Sequence, residues 1–499
     1  MIRAVDAANA EIESIKAAVA RHFPVYGIVV TPLALTFQVS APEERLDASF
    51  DGLRRELVPR HYIPSITKER GETLIHVQRR PTPRFTRGRV NLAFLIATIL
   101  TTVFFGGAYN WAAYASATGR EVPILSGEAI ALGTLTFALP LLTILGSHEM
   151  GHYVVARRYR VQASLPFFLP SVPPLGTFGA FISMRDPIPS RRALLDIGVS
   201  GPLVGLAVAI PVALLGIQLS VQNGVLADPG QAGQALQASL LFDFLSFFIP
   251  LPETLVLHPT AFAGWVGFFV TAINLLPAGQ LDGGHVARAL LGNRQHYVSW
   301  AAVIILFSLG VFYPGWIIFG FLILVLGVRH PPPLNDLTRL SAGRKLVGIA
   351  AVAVLVLTFI PQPFVQVPAA TPSIAFEDPS DGTILGNLTA NVTAGNTTIL
   401  AFAVNNTGIV RAEVSLLIDP RNLDALGFGL EFVDYAIGTN TTIVSANATQ
   451  FILNRSELAI VRLRIAAPSG LSPTTLEFLV RGVVEGNGTT ELLVFLNVI

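Results

Sequence analysis

His148 and His152 stand four residues apart, with Glu149 beside the first, in the run LLTILGSHEMGHYVVARRYR. Four residues make about one helical turn, so the two imidazoles share a helix face and can bind one metal ion. Glu149 can then take a proton from water at that metal, which is the chemistry of hydrolysis. The chain holds only nine histidines in 499 residues, so a chance H-E-x-x-H is rare. Histidine and glutamate at the end of an apolar run are also costly unless they bind something. A polar helix end that happens to hold two histidines is the weaker reading.

A catalytic zinc takes three protein ligands and leaves one position for water. The chain has no cysteine, which excludes disulfides and thiolate ligands and leaves His, Asp or Glu as the third donor. The run FAGWVGFFVTAINLLPAGQLDGGHVARALLG carries Asp282, after a helix end broken by Pro277 and before Gly283 and Gly284. An aspartate in an apolar setting is expensive unless it meets a cation. Asp282 could instead, or as well, cap a short helix starting near His285. His285 and His258 are rival ligands. His285 is three residues on and is the fallback, whereas His258 falls at the opposite end of its apolar run. Asn274 lies mid-run, and a buried amide needs a partner. That partner is either the substrate backbone or oxyanion, or a neighbouring helix.

The elements that must hold these residues are apolar. Hydrophobic residues make up 52% of the chain and charged residues 13%, against roughly a quarter charged in a soluble domain. A net charge of +1 argues against a nucleic-acid partner. Within residues 90–360, seven candidate spans begin near Val90, Gly127, Ala193, Pro259, Val298, Gly315 and Lys345. Most approach the ~20 residues that cross a bilayer. The fifth and sixth are short and meet at Tyr313-Pro314, so they could form a hairpin. The stretch 163–190 is apolar but rich in Pro and Gly. It predicts a re-entrant loop or hairpin rather than a helix. The expected fold class is a polytopic α-helical membrane protein of about seven spans with a re-entrant loop.

Two flanking regions differ from this core. Residues 1–89 carry 14 Lys+Arg and 10 Asp+Glu, a soluble balance. Helices at about 5–22 and 43–58, with strands in VYGIVVTPLALTFQV and TLIHVQ, predict a small α+β domain. The first helix reads as soluble and amphipathic rather than as a cleavable signal peptide. Residues 371–499 alternate at Ala412, Val414, Leu416 and Ile418 and again at Val461, Leu463 and Ile465. They predict an immunoglobulin-like β-sandwich.

Charge sets the expected orientation. Residues 90–370 hold 13 Lys+Arg, and threading seven spans from a cytoplasmic N-terminus puts all but Arg120 on the cytoplasmic side. Both chemistry-bearing runs then end at that same face. The C-terminal domain falls outside, where eight Asn-X-Ser/Thr sequons gather: Asn387, Asn391, Asn396, Asn405, Asn440, Asn447, Asn454 and Asn487. All are expected N-glycan acceptors on an extracytoplasmic surface. An Asn- and Thr-rich β-domain with accidental sequons is the alternative. The expected location is the cell membrane, multi-pass.

HEMGH (His148–His152) and NLLPAGQLDGG (Asn274–Gly284) together resemble the site-2 protease family of intramembrane zinc metalloproteases. GTFGAFISM (Gly176–Met184), LDIGVSGPLVG (Leu195–Gly205) and GETLIHV (Gly71–Val77) are similar to its archaeal and chloroplast branch. The likeness covers roughly residues 60–330. It implies Zn2+ as cofactor, held by His148, His152 and Asp282, with Glu149 as general base and Asn274 assisting catalysis. It also implies cleavage of peptide bonds within or near transmembrane segments of membrane-protein substrates, as in regulated intramembrane proteolysis. An extra span and an external β-domain depart from the family core. Two rival readings remain at this point. One is a membrane zinc peptidase that cuts soluble or lipidated peptides and uses a downstream Glu as ligand. The other is a glycosylated adhesion or receptor protein with a degenerate peptidase core.

Overall fold

A computed structural model describes residues 2–31, 34–80, 88–164, 166–182, 184, 186–225, 233–250, 252, 255–438, 440–443, 448–484 and 488–499. Arg185 and the sequon residues Asn447 and Asn487 lie outside these. The chain divides into two compact units, Met1–Ala227 with Leu236–Phe364 and Asp228–Ala235 with Val365–Ile499.

The first unit is built on helices. Among the described residues, three are long and apolar enough to cross a membrane: Val90–Ala117, Gly127–Arg158 and Arg191–Asn223, of 28, 32 and 33 residues. At about 1.5 Å per residue each exceeds the ~30 Å of a hydrocarbon core. The other four expected spans are helices too, but shorter: Pro259–Leu275, Gln295–Leu309, Gly315–Leu326 and Ala342–Thr358, of 17, 15, 12 and 17 residues. Apolar runs overstate helix length here because backbone breakers cut them. Pro277 follows the end at Leu275, and Tyr313-Pro314 separates the next pair. The first two long helices each contain a π-helical segment, Thr102–Ala108 and Thr134–Ala138.

At the N-terminus of this unit, helices Ile2–His22 and Glu43–Leu57 pack on a four-stranded antiparallel sheet. Its order is Val25–Val30, Leu35–Val39, Glu72–Arg79, Tyr62–Glu69. Phe37, Leu53, Leu57, Ile66 and Ile75 are buried between them, and Leu334 from far along the chain joins this cluster. The sheet therefore meets the segment that follows the helix at Gly315–Leu326. Ile66 N–H donates to the Leu334 carbonyl at 2.8 Å, and Asp47 accepts from Asn335 Nδ2 at 3.0 Å and Thr338 Oγ1 at 2.8 Å. Arg80 forms a largely buried ion pair with Asp186.

The stretch expected to be re-entrant forms a hairpin of Phe167–Pro170 and Thr177–Phe181, antiparallel, with an irregularity at Leu169/Pro170. Its turn is fastened to the first long helix. Gly176 has φ +74, and an added Cβ there would lie 2.3 Å from the Thr101 carbonyl oxygen. Thr101 Oγ1 donates to the Gly176 carbonyl at 2.7 Å, and Asn110 Nδ2 donates to the Pro174 carbonyl at 2.7 Å.

The second unit consists mainly of two five-stranded sheets around one core. One runs Asn387–Val392, Thr489–Val498, Thr474–Val484, Ala412–Asp419, Ala448–Leu453; the other Asn440–Ile443, Gly429–Ile437, Leu458–Ala466, Thr397–Asn406, Ile374–Glu377. Inward residues alternate along each strand, and Val414, Leu416, Val461, Leu463 and Ile465 are all buried. Of the six described sequon asparagines, five are exposed, while Asn405 is half-buried with Nδ2 donating to Glu377 at 2.8 Å.

Candidate metal centre

His148 and His152 lie on the helix Gly127–Arg158, which starts at Ser126, whose Oγ accepts from Ala129 N at 3.1 Å. Both side chains and Glu149 are buried. Asp282 arrives from a separate segment, as the first residue of helix Asp282–Leu291. Its Oδ2 lies 3.2 Å from His148 Nε2 and 3.2 Å from His152 Nε2, and the two Nε2 atoms are 3.2 Å apart. The expected helix-capping role is not found, because Leu281 occupies the cap position and no side chain caps this helix. The carboxylate turns to the imidazoles instead.

His152 Nδ1 faces the Ile197 carbonyl at 2.8 Å. A neutral ring that donates there must present the Nε2 lone pair to its neighbours. That lone pair, the Asp282 carboxylate and His148 Nε2 then converge, an arrangement suited to a cation. The spacing fits one of a particular size. Tetrahedral bonds of about 2.0 Å place donor atoms ~3.3 Å apart, and the three separations here are 3.2 Å. Two nitrogens and one oxygen, with the remaining side open to a cavity, match the donor set of a catalytic zinc site.

The room for the imidazoles comes from the helix Arg191–Asn223. A Cβ added at Gly201 would lie 2.1 Å from His152 Nε2, and one at Gly205 3.0 Å from His148 Cβ. Nothing in the pattern of polar residues points to these glycines. Their spacing of four within LDIGVSGPLVG, one helix face, is the signal that could have done so.

The cavity beside the triad has a volume of about 520 Å³. Glu149, Asn274, Gln280 and His285 line it, with Ala180, Phe181 and Ile182 on the hairpin side and Pro331, Pro332 and Pro333 opposite. Asn274 Nδ2 is 3.4 Å from His148 Nε2, so its amide meets the triad. The two rival histidines stay out of the triad. His285 places Nδ1 3.0 Å from the Leu281 carbonyl and packs edge-on against His330. His258 caps the helix Pro259–Leu275 and packs against Trp111 and Tyr114. The one cluster of His, Cys, Asp or Glu among the described residues able to hold a metal is His148, His152 and Asp282.

Residues 136–313 match the family model for Peptidase family M50. The chain carries a Peptidase family M50 domain. The paired motifs and all three donors fall inside that match. The chain is similar to the probable chloroplastic zinc metalloprotease EGY1 of Arabidopsis thaliana, 34% identical over 46% of this chain and 43% of that one. EGY1 of Oryza sativa subsp. japonica is 33% identical over 46% and 40%, and EGY2 of Arabidopsis thaliana 28% identical over 52% and 49%. The chain thus spans less than half the length of these curated relatives. Among solved structures, the N-terminal domain of PorA matches 25% of this chain and 97% of its own at 15% identity, with a TM-score of 0.17.

Proposed function

We propose that the chain is an intramembrane zinc metalloprotease that hydrolyses peptide bonds within or near transmembrane segments of membrane-protein substrates. The observation that carries this reading is the meeting of His148, His152 and Asp282 from two distant segments, with Glu149 buried on the same cavity. Zinc held by these three side chains would polarise the scissile carbonyl and acidify a water molecule. Glu149 accepts the proton of the attacking water and returns it to the leaving amine. Asn274 offers an amide N–H toward the developing oxyanion.

A transmembrane helix hides its carbonyls in hydrogen bonds, so the substrate must unwind before it is cut. Among the described residues, no third strand pairs with the hairpin. Its strand Thr177–Phe181, next to the cavity, supports capture of the unwound segment by strand addition.

The proposal includes seven spans, the shorter helices crossing with their neighbours, and a cytoplasmic site facing the N-terminal α+β region. It places an immunoglobulin-like domain, with N-glycans, on the other side. The deciding experiment is cleavage of a panel of single-span reporter proteins by purified protein with measured zinc. Glu149→Gln should keep zinc at wild-type stoichiometry and lower the cleavage rate by about 10²–10⁴-fold. Wild-type cleavage by that variant would sink the reading.

A further inference from the structure

A second cavity, of about 580 Å³, lies where the N-terminal α+β region meets the ends of the helices. Six arginines line it: Arg54 and Arg55 from the helix Glu43–Leu57, Arg158 and Arg160 from the end of Gly127–Arg158, and Arg192 and Arg344 from the starts of two later helices. Three carboxylates face them, Asp47, Asp51 and Asp196. All three are already engaged. Asp51 pairs with Arg54 and Arg55, Asp47 with Arg192, and Asp196 with Arg344 and the Tyr159 hydroxyl.

The lining therefore carries three positive charges in excess. Among the described residues, Arg158 and Arg160 have no carboxylate partner. Solvated arginines at a helix end need no cavity, but Arg54 is only 7% exposed and is held in place by donating to the Tyr159 carbonyl at 3.0 Å. Guanidinium forks gathered around a void, with Arg54 held in place and Arg158 and Arg160 exposed beside it, are suited to an oxyanion with several acceptor oxygens, above all phosphate. Phe50, Val155 and Val199 give the same cavity an apolar wall.

We propose that this cavity binds a phosphate-bearing anion, which bridges the N-terminal region to the helices that carry the metal centre. The chemistry is shared by the headgroup of an anionic lipid and by a soluble phosphate ester. Binding has a route to the M50 site. The docked region also holds Asp186 through Arg80, and Asp186 lines the cavity beside the triad. The bound anion would thus stiffen a wall of that cavity without touching the reacting groups.

The test uses the full chain and needs no cleavage assay, so it stands or fails apart from the proteolytic reading. The protein in phosphatidylcholine nanodiscs is melted with sodium pyrophosphate and with sodium chloride at matched ionic strength. A parallel arm replaces part of the lipid with phosphatidylglycerol. Wild-type protein should gain about 2 °C or more in Tm with the anion. Amide exchange across residues 43–57 should slow in step. The variant Arg158→Gln/Arg160→Gln, which breaks no ion pair among the described residues, should lose both responses, and Arg55→Gln should weaken them. A response to pyrophosphate identifies a soluble phosphate ester as the ligand class, and a response to phosphatidylglycerol alone identifies a lipid headgroup. No response in either arm, or equal responses in wild type and the double variant, overturns the proposal.

Discussion

His148, Glu149 and His152 are 4–5% exposed within the long, largely apolar helix Gly127–Arg158. In the β-sheet unit the corresponding test of burial gives the opposite pattern. Along Leu458–Ala466 the apolar side chains point inward, while Arg462 and Arg464 point out and pair with Asp434 and Glu431. The helical unit buries two histidines and a glutamate that meet on one cavity; the sheet unit buries few polar groups, and among these Asn406 is satisfied by the carbonyls of Val410 and Leu453 and Asp434 by Arg462. The two therefore answer different demands. Alternation suffices to build the sheets, but the helices must also carve out space for imidazoles, which is why Gly201 and Gly205 face them.

The sharpest way to break this contrast is Asp282→Ala. Removing one of three donors should lower zinc affinity by at least about 100-fold, beyond the loss typical of a supporting residue, as read by metal analysis after dialysis. Retained zinc would mean that the polar cluster is not a metal centre. Next in size is Phe402→Ala, which empties a fully buried position against Phe376. It should cost the β-sheet unit about 3–5 kcal/mol in denaturant unfolding and leave zinc stoichiometry unchanged. A fall in zinc would show that the β core also serves the metal centre.

Gly201→Ala sharpens the comparison from the other side. The added methyl displaces His152 without removing any ligand, so zinc affinity should drop by about 10–100-fold while the protein still folds. An unchanged affinity would show that the helices yield more readily than their packing suggests. The smallest effect concerns acid. In the N-terminal region, Glu56 is held below the usual carboxylate range first by a hydrogen bond from Arg21, and Glu11 by hydrogen bonds from Arg79 and then Tyr62. A depressed acid contributes stability that is full above its unfolded value of about 4.3 and fades as pH falls through the lower folded value. Amide protection factors over residues 2–80, taken against the intrinsic exchange rate at each pH, should fall as pH drops from 5 to 3, and Glu56→Gln should flatten that dependence.

Much of this was legible in the sequence where a short-range rule governs. Helices expected at 5–22 and 43–58 stand at Ile2–His22 and Glu43–Leu57. The alternating strands at 412–418 and 461–465 bury the expected faces, and Pro-rich 163–190 holds a hairpin. The i, i+4 histidines and Asp282 come together as their types and costs suggested. What stayed hidden is long-range. The Asp282 carboxylate had two local choices, and only the fold decides for the imidazoles. Leu334 gives no sign, from its neighbours in sequence, that it belongs to the core around Phe37.

The fastening of the hairpin turn to Thr101 and Asn110 has a mechanical meaning. The hairpin whose strand borders the cavity beside the triad is held at its turn by the first long helix, while that strand also packs on the helix that bears the histidines. A tilt of residues 90–117 would therefore be passed to the hairpin turn, and under the proposed proteolytic function bilayer thickness would be a variable in how a docked chain is aligned.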